Sequence, residues 1–178
     1  MKNKLLYLIL TTCVALLFFT VLPIHGEEKI YDSVIRLHVI ANSDSEEDQA
    51  LKISVRDAIL AESAELFTIC SDRNEAIKKL SASLDDIQCI AERRIAEEGY
   101  DYPVKIELGN EEYPTRNYES MSFPEGSYLS LRISIGDGAG QNWWCVLFPP
   151  LCLDAAKGSN DDALISVGLN AEEYKIIT

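Results

Sequence analysis

The sequence predicts an α+β domain, with two helices packed on a mainly antiparallel sheet of about four strands. Three observations carry that expectation. A short β-branched run opens the body at residues 33–41, and two stretches of helical apolar spacing follow between residues 46 and 95. From Val104 to Phe148 the pattern changes to period-two alternation. The order strand, helix, helix, then strands belongs to α+β architecture rather than to a repeating βα fold.

Taken in order, the chain begins with a targeting segment. Lys2 and Lys4 precede an apolar run of 18 residues from Leu5 to Leu22, and Pro23 ends it. Gly26, with Ile24 two positions earlier, makes an imperfect cleavage site for a secretory signal, while the run is also long enough for an uncleaved anchor. In both cases Lys2 and Lys4 stay inside and everything after Gly26 crosses the membrane. Residues 1–26 are therefore expected to be a signal peptide or N-terminal membrane anchor, residues 27–153 an α+β domain, and residues 154–178 an acidic C-terminal tail.

Within the body, Ile35, Leu37 and Val39 fall on one face of the first strand, and Arg36 and His38 on the other. Asn42–Ser45 supplies a turn and a helix N-cap, with Glu46, Glu47 and Asp48 where the helix dipole favours negative charge. Ala50, Leu51, Val55, Ala58, Ile59 and Leu66 predict a helix over residues 46–66. A second helix is predicted after Ser71, carried by Ile77, Leu80, Leu84, Ile87, Ala91 and Ile95 and stopped by Gly99 and Pro103. Val104, Ile106 and Leu108 mark a strand, as do Leu129, Leu131, Ile133 and Ile135. The turn Gly136–Gly140 then leads into Asn142–Phe148, which predicts a hairpin with one wet and one dry face. The segment Glu111–Gly126, with Tyr113, Tyr118 and Phe123, is too long for a plain connection. Beyond Leu153, residues 164–167 and 171–177 suggest a short strand and a helix start.

Charge narrows the class of partner. The leader holds two of the 16 basic residues and none of the 29 acidic ones, which leaves 14 against 29, a net of −15, beyond Gly26. Nucleic acid and anionic lipid both reward positive charge, so neither is an expected partner, and contact with the membrane is expected only through an uncleaved leader. Cys70, Cys89, Cys145 and Cys152 permit two disulfides in an exported chain. Cys145 and Cys152 are the better candidates, because the Pro149–Pro150 turn between them can fold one beside the other.

Residues 136–152 concentrate a glycine-rich turn, both tryptophans, two cysteines and a Pro-Pro pair. As strand neighbours, Trp143 and Trp144 face opposite sides, so only one can enter the core. The other is either a solvent-facing contact or is covered by the Glu111–Gly126 segment. Asn42–Ser45 is likewise open between helix capping and recognition. Asp44, Glu46, Glu47 and Asp48 lack the glycine and spacing of a calcium loop, and neither a metal nor a cofactor is expected.

The run VIRLHVIANSDS from Val34 to Ser45, with Asp48, Gln49, Lys52 and Val55–Asp57 after it, resembles the opening of the stage II sporulation protein R family. SLRISIG from Ser130 and GQNWWCVLFPPLC from Gly140 resemble that family's second signature, about 85 residues further on. The resemblance implies a protein exported from the forespore into the space between the two sporulation membranes. There it would activate a membrane-embedded aspartic protease, which processes the precursor of the sigma-E transcription factor. It also implies a chain that continues further past Cys152 than the tail seen here. On this reading the chain is a secreted signal and not an enzyme. Partner contact is assigned to Trp143, Trp144, Phe148, Pro149 and Pro150, with Arg36, Asn42 and Asp44 in support. The rival is an exported hydrolase with Cys145 or Cys152 as nucleophile and His38 as base; a third reading is an envelope assembly protein.

Overall fold

A computed structural model describes residues 27–68, 70–118 and 121–154, together with Lys4, Thr11 and Thr12. The remainder of the leader and the tail beyond Asp154, with its expected strand and helix, lie outside the described residues. The elements run α1 (Glu27–Ser33), β1 (Ile35–Ile40), α2 (Glu46–Thr68), α3 (Arg73–Ala82), α4 (Leu84–Glu97) and β2 (Val104–Tyr113). They continue with β3 (Arg116–Asn117), β4 (Ser122–Phe123), β5 (Gly126–Ile135), β6 (Asn142–Phe148) and α5 (Leu151–Asp154).

The four long strands form one sheet in the order β2-β5-β1-β6, and β3 and β4 form a separate two-stranded ribbon. Pairing is antiparallel for β2 with β5 and for β1 with β6, but β1 and β5 run parallel, with Leu37 opposite Leu131. The expected α+β class and four-strand sheet stand, as a mixed and mainly antiparallel one. The two-helix count does not. The second predicted helix is two, because Ser83 leaves helical geometry at φ −108° and ψ 10°. The apolar stripe runs past this break, with Leu80 and Ile87 buried on either side, so spacing alone reads straight through it. The stop at Gly99 is as predicted: with φ +85° it lets Tyr100 N–H reach Ile95 O at 3.0 Å and its own N–H reach Ala96 O at 3.0 Å.

The hairpin is a second correction. β5 and β6 do not pair, because β1 lies between them. Residues 136–141 instead cross over the end of β1. Gly140 N–H donates to Ala41 O at 3.0 Å and Ala139 N–H to Asn42 O at 3.1 Å. A strand flanked on both sides needs burial on both faces, and all six residues of β1 are buried.

Two apolar clusters provide that burial. Helices α2, α3 and α4 cover one face through Val55, Ile59, Leu80, Ile87 and Ile95, packed on Leu37, Val39, Leu131 and Ile133. Part of the other face, expected to be wet, lies under a second cluster. There α1 contributes Ile30, the excursion after β2 contributes Met121 and Phe123, and Tyr113, Tyr128 and Val146 rise from the sheet.

Candidate functional site

β6 carries the two tryptophans to opposite faces, as strand alternation requires. Trp143 joins the helical side, and the Arg56 guanidinium of α2 lies 4.6 Å from its ring centroid. Trp144 joins the second cluster, with the His38 ring at 5.4 Å and the Arg116 guanidinium 3.5 Å from its centroid. Both are half-buried. The excursion covers Trp144 in part: Arg116 lies over its ring and the Tyr118 hydroxyl donates to its carbonyl at 3.3 Å.

The end of β6 is tied down. Cys145 and Cys152 form a disulfide across the Pro149–Pro150 turn. Phe148 and Pro149 are buried, while Pro150 is half-buried and leads into Leu151, which fills the second cluster. Phe148 and Pro149 therefore offer no surface in this conformation. They hold the turn from inside, leaving Trp143, Trp144 and Pro150 as the accessible aromatic and imino groups of the expected contact set.

Arg36 is placed differently from its expected supporting role at a surface. The residue is fully buried, with its guanidinium 4.5 Å from the Tyr113 centroid, 5.0 Å from Tyr128 and 5.1 Å from Phe123. Nε donates to Cys145 O at 3.1 Å and Nη2 to the Tyr118 hydroxyl at 2.9 Å. Among the described residues no carboxylate pairs with it. Stripping water from an isolated charge costs several kcal/mol. Ring faces at about 2 kcal/mol when desolvated, with two charge-assisted hydrogen bonds, offset much of that. Burial pushes the Tyr113 and Tyr118 phenols above their ordinary range, so both stay neutral around the cation. The sequence signal for this cage was the aromatic content of Glu111–Gly126, but nothing in its spacing pointed to Arg36.

The Asn42–Ser45 motif is consumed by the crossover. Asn42 Nδ2 and the Ser43 hydroxyl both donate to Asp48 Oδ2, at 2.8 and 2.6 Å, and Asn42 Oδ1 accepts from Asp137 N–H at 3.0 Å. Those two donors, Ser43 first, hold the Asp48 carboxyl below its ordinary value against the opposing effect of burial. The Ser45 hydroxyl caps α2 by accepting from Asp48 N–H at 3.1 Å. Lys52 Nζ donates to Gln49 Oε1 at 2.6 Å and to Gln141 O at 2.9 Å, and burial lowers its pKa. Asn42 is thus a joint between β1, α2 and the crossover, and only Asp44 of the pair assigned here is exposed.

His38, the proposed base of the hydrolase reading, is buried between Glu111 Oε1 and Asn142 Oδ1, each 2.8 Å from a ring nitrogen. Cys145 alternates with Trp144 and so points away from the His38 face, and its sulfur is bonded to that of Cys152. The cysteine–histidine dyad of that reading is not assembled.

A family model for stage II sporulation protein R matches residues 31–157, which include both sheet faces, the crossover and the disulfide. Over 130 residues the chain is 39% identical to the stage II sporulation protein R of Bacillus subtilis (strain 168). That alignment covers 72% of this chain and 58% of the relative, so the chain spans less than two thirds of that protein's length. No solved structure matches the chain. With both signature segments inside a match that covers most of the body, the chain belongs to the stage II sporulation protein R family.

Proposed function

We propose that this chain is an exported signal of sporulation, recognised outside the cytoplasm by a membrane-embedded aspartic protease that then processes the sigma-E precursor. The observation that carries this reading is the family match over residues 31–157, and the basic-then-apolar leader at residues 2–22 agrees with export. A signal of this kind shifts its receptor only by binding the active form more tightly than the inactive one. Contact is assigned to the edge strand β6, through Trp143 on one face and Trp144 on the other, and to Pro150 in the turn after it, with Asp44 in support. Rigid aromatics lose little entropy on docking, and the disulfide and buried Phe148 keep this edge in place. Arg36, Phe148 and Pro149, all buried, and Asn42, joined to Asp48 and Asp137, hold the structure around these groups rather than touching a partner.

The test is co-expression of the full chain, the protease and the sigma precursor in a host that makes none of them. Precursor cleavage is expected only when all three are present. Trp143→Ala or Trp144→Ala, made singly, should abolish cleavage in at least one case while the protein accumulates and folds. Normal cleavage by both folded variants would remove the tryptophans of β6 as the contact.

A further inference from the structure

Gly109 sits in the middle of a ten-residue edge strand for no reason internal to the fold. It pairs with Ser130 in a regular ladder, its φ is not positive, and a Cβ built on it meets nothing within 4 Å. Glycine weakens a strand interior and recurs where another chain or a ligand comes close. The empty position opens a groove of about 240 Å³, walled by Glu107, Glu111, Ser130 and Arg132 on the part of the sheet face that the aromatic cluster leaves bare.

Two atoms of that wall are unfulfilled. Glu111 Oε2 and Arg132 Nε are buried without a hydrogen-bond partner, although Glu111 Oε1 serves His38 and lies 3.7 Å from Arg132 Nη1. One is an acceptor and the other a donor, on side chains paired through Arg132 Nη1 and Glu111 Oε1, and the Arg132 side chain is 44% exposed. Among the described residues β2 pairs only with β5, so its outer edge is open along the groove. Lys105, Glu107, Glu111 and Glu112 make that edge charged and mainly acidic, which discourages a second copy.

We infer that β2 and this groove bind an extended segment of a partner protein. The segment adds as a strand and places an asparagine or glutamine side chain in the space over Gly109. Its amide NH2 donates to Glu111 Oε2 and its carbonyl accepts from Arg132 Nε; a lysine, a carboxylate or an alkyl chain satisfies at most one of the two. This inference rests on the sheet edge and not on the signalling reading.

The test is a nuclear magnetic resonance titration of the full chain in detergent micelles. The probe is an octapeptide of alternating threonine and valine with glutamine at the fourth position, compared with lysine, glutamate and leucine versions. The glutamine peptide should shift the Gly109 and Ser130 amide signals saturably, with the other three at least ten-fold weaker. Gly109→Val should weaken binding at least ten-fold with a denaturation midpoint no lower than wild type, and Gly109→Ala by an intermediate factor. Equal binding by all four peptides, wild-type binding by Gly109→Val, or outward β2 amides already protected from exchange without peptide would overturn the proposal. The last result would mean that a second copy or the chain's own remaining residues occupy the edge.

Discussion

Replacing Gly140 by alanine should cost about 4 kcal/mol, and the reason lies in the corner where the crossover meets β1. A methyl group there would overlap the Ser43 carbonyl and come within 2.9 Å of the Ala41 Cβ. Two of these three neighbours are backbone atoms of Ser43, whose side chain is tied to Asp48, so backbone on one side or the other must move. Crowding of this kind costs about 2 kcal/mol. Displacement also breaks the bonds from Gly140 N–H to Ala41 O and from Ala139 N–H to Asn42 O, together about 2 kcal/mol. Against a total stability of about 5–15 kcal/mol this is a large fraction, and for a domain of this size it lowers Tm by about 15 °C. Urea denaturation followed by tryptophan fluorescence reads it directly, because Trp143 and Trp144 report on opposite faces of the sheet. Gly138→Ala is the control: its φ is +59° but the nearest side chain is 3.4 Å away, so only a backbone penalty of about 1 kcal/mol applies. If Gly140→Ala loses no more than Gly138→Ala, the crossover is not locked against β1 and the account of the Asn42 corner is wrong.

Tyr118→Phe removes an acceptor of the Arg36 guanidinium and should destabilise by about 1–3 kcal/mol in the same assay, whereas an unchanged midpoint would mean the cage does not depend on that hydroxyl. Thiol alkylation should label Cys89 in the native protein and reach Cys145 and Cys152 only after reduction. Replacing both bridged cysteines by serine should cost about 2 kcal/mol for so short a loop, read from the urea midpoint. The folded Asp48 carboxyl lies below its ordinary value of 3.8, so its contribution is fully present above that value and fades as pH falls through the lower, folded one. Asp48→Asn should flatten the loss of stability below about pH 4, and acid titrations of equal slope in both proteins would refute this.

The local patterns carried much of the fold. β1, the Val104–Leu108 part of β2 and the Leu129–Ile135 part of β5 were legible because each alternates. α2 was legible through the recurrence of Leu51, Val55 and Ile59, and Gly99 marked a helix end. The rest of β2 and the start of β5 fall in or beside the segment read as a loop, where the alternation is lost. Pairing was not legible. Gly136–Gly140 has the composition of a hairpin turn, yet whether the flanking strands touch depends on where β1 inserts, some 90 residues earlier in the chain. The short α1 has too few residues to display a period, and the Ser83 break is masked by apolar spacing that continues through it. For the site, residue types pointed to the right neighbourhood but not to depth. Arg36 and Asn42 are polar and were expected at the surface. Only the surrounding tyrosines and the carboxylate of Asp48 explain why both are drawn inward.

The parallel pairing of β1 with β5 also constrains how the chain can become folded when it is delivered N-terminus first. β1 is among the earliest body segments to emerge, yet both of its neighbours, β5 and β6, are among the last. The helices between them can form locally, but the two central strands, β1 and β5, cannot pair until Ile135 has arrived, and β6 closes the edge after that. Closing so long a loop is slow and meets its entropic cost before any of the pairing is gained. Such an arrangement leaves the central strand unpaired until the second half of the body is available, so the sheet assembles late and together.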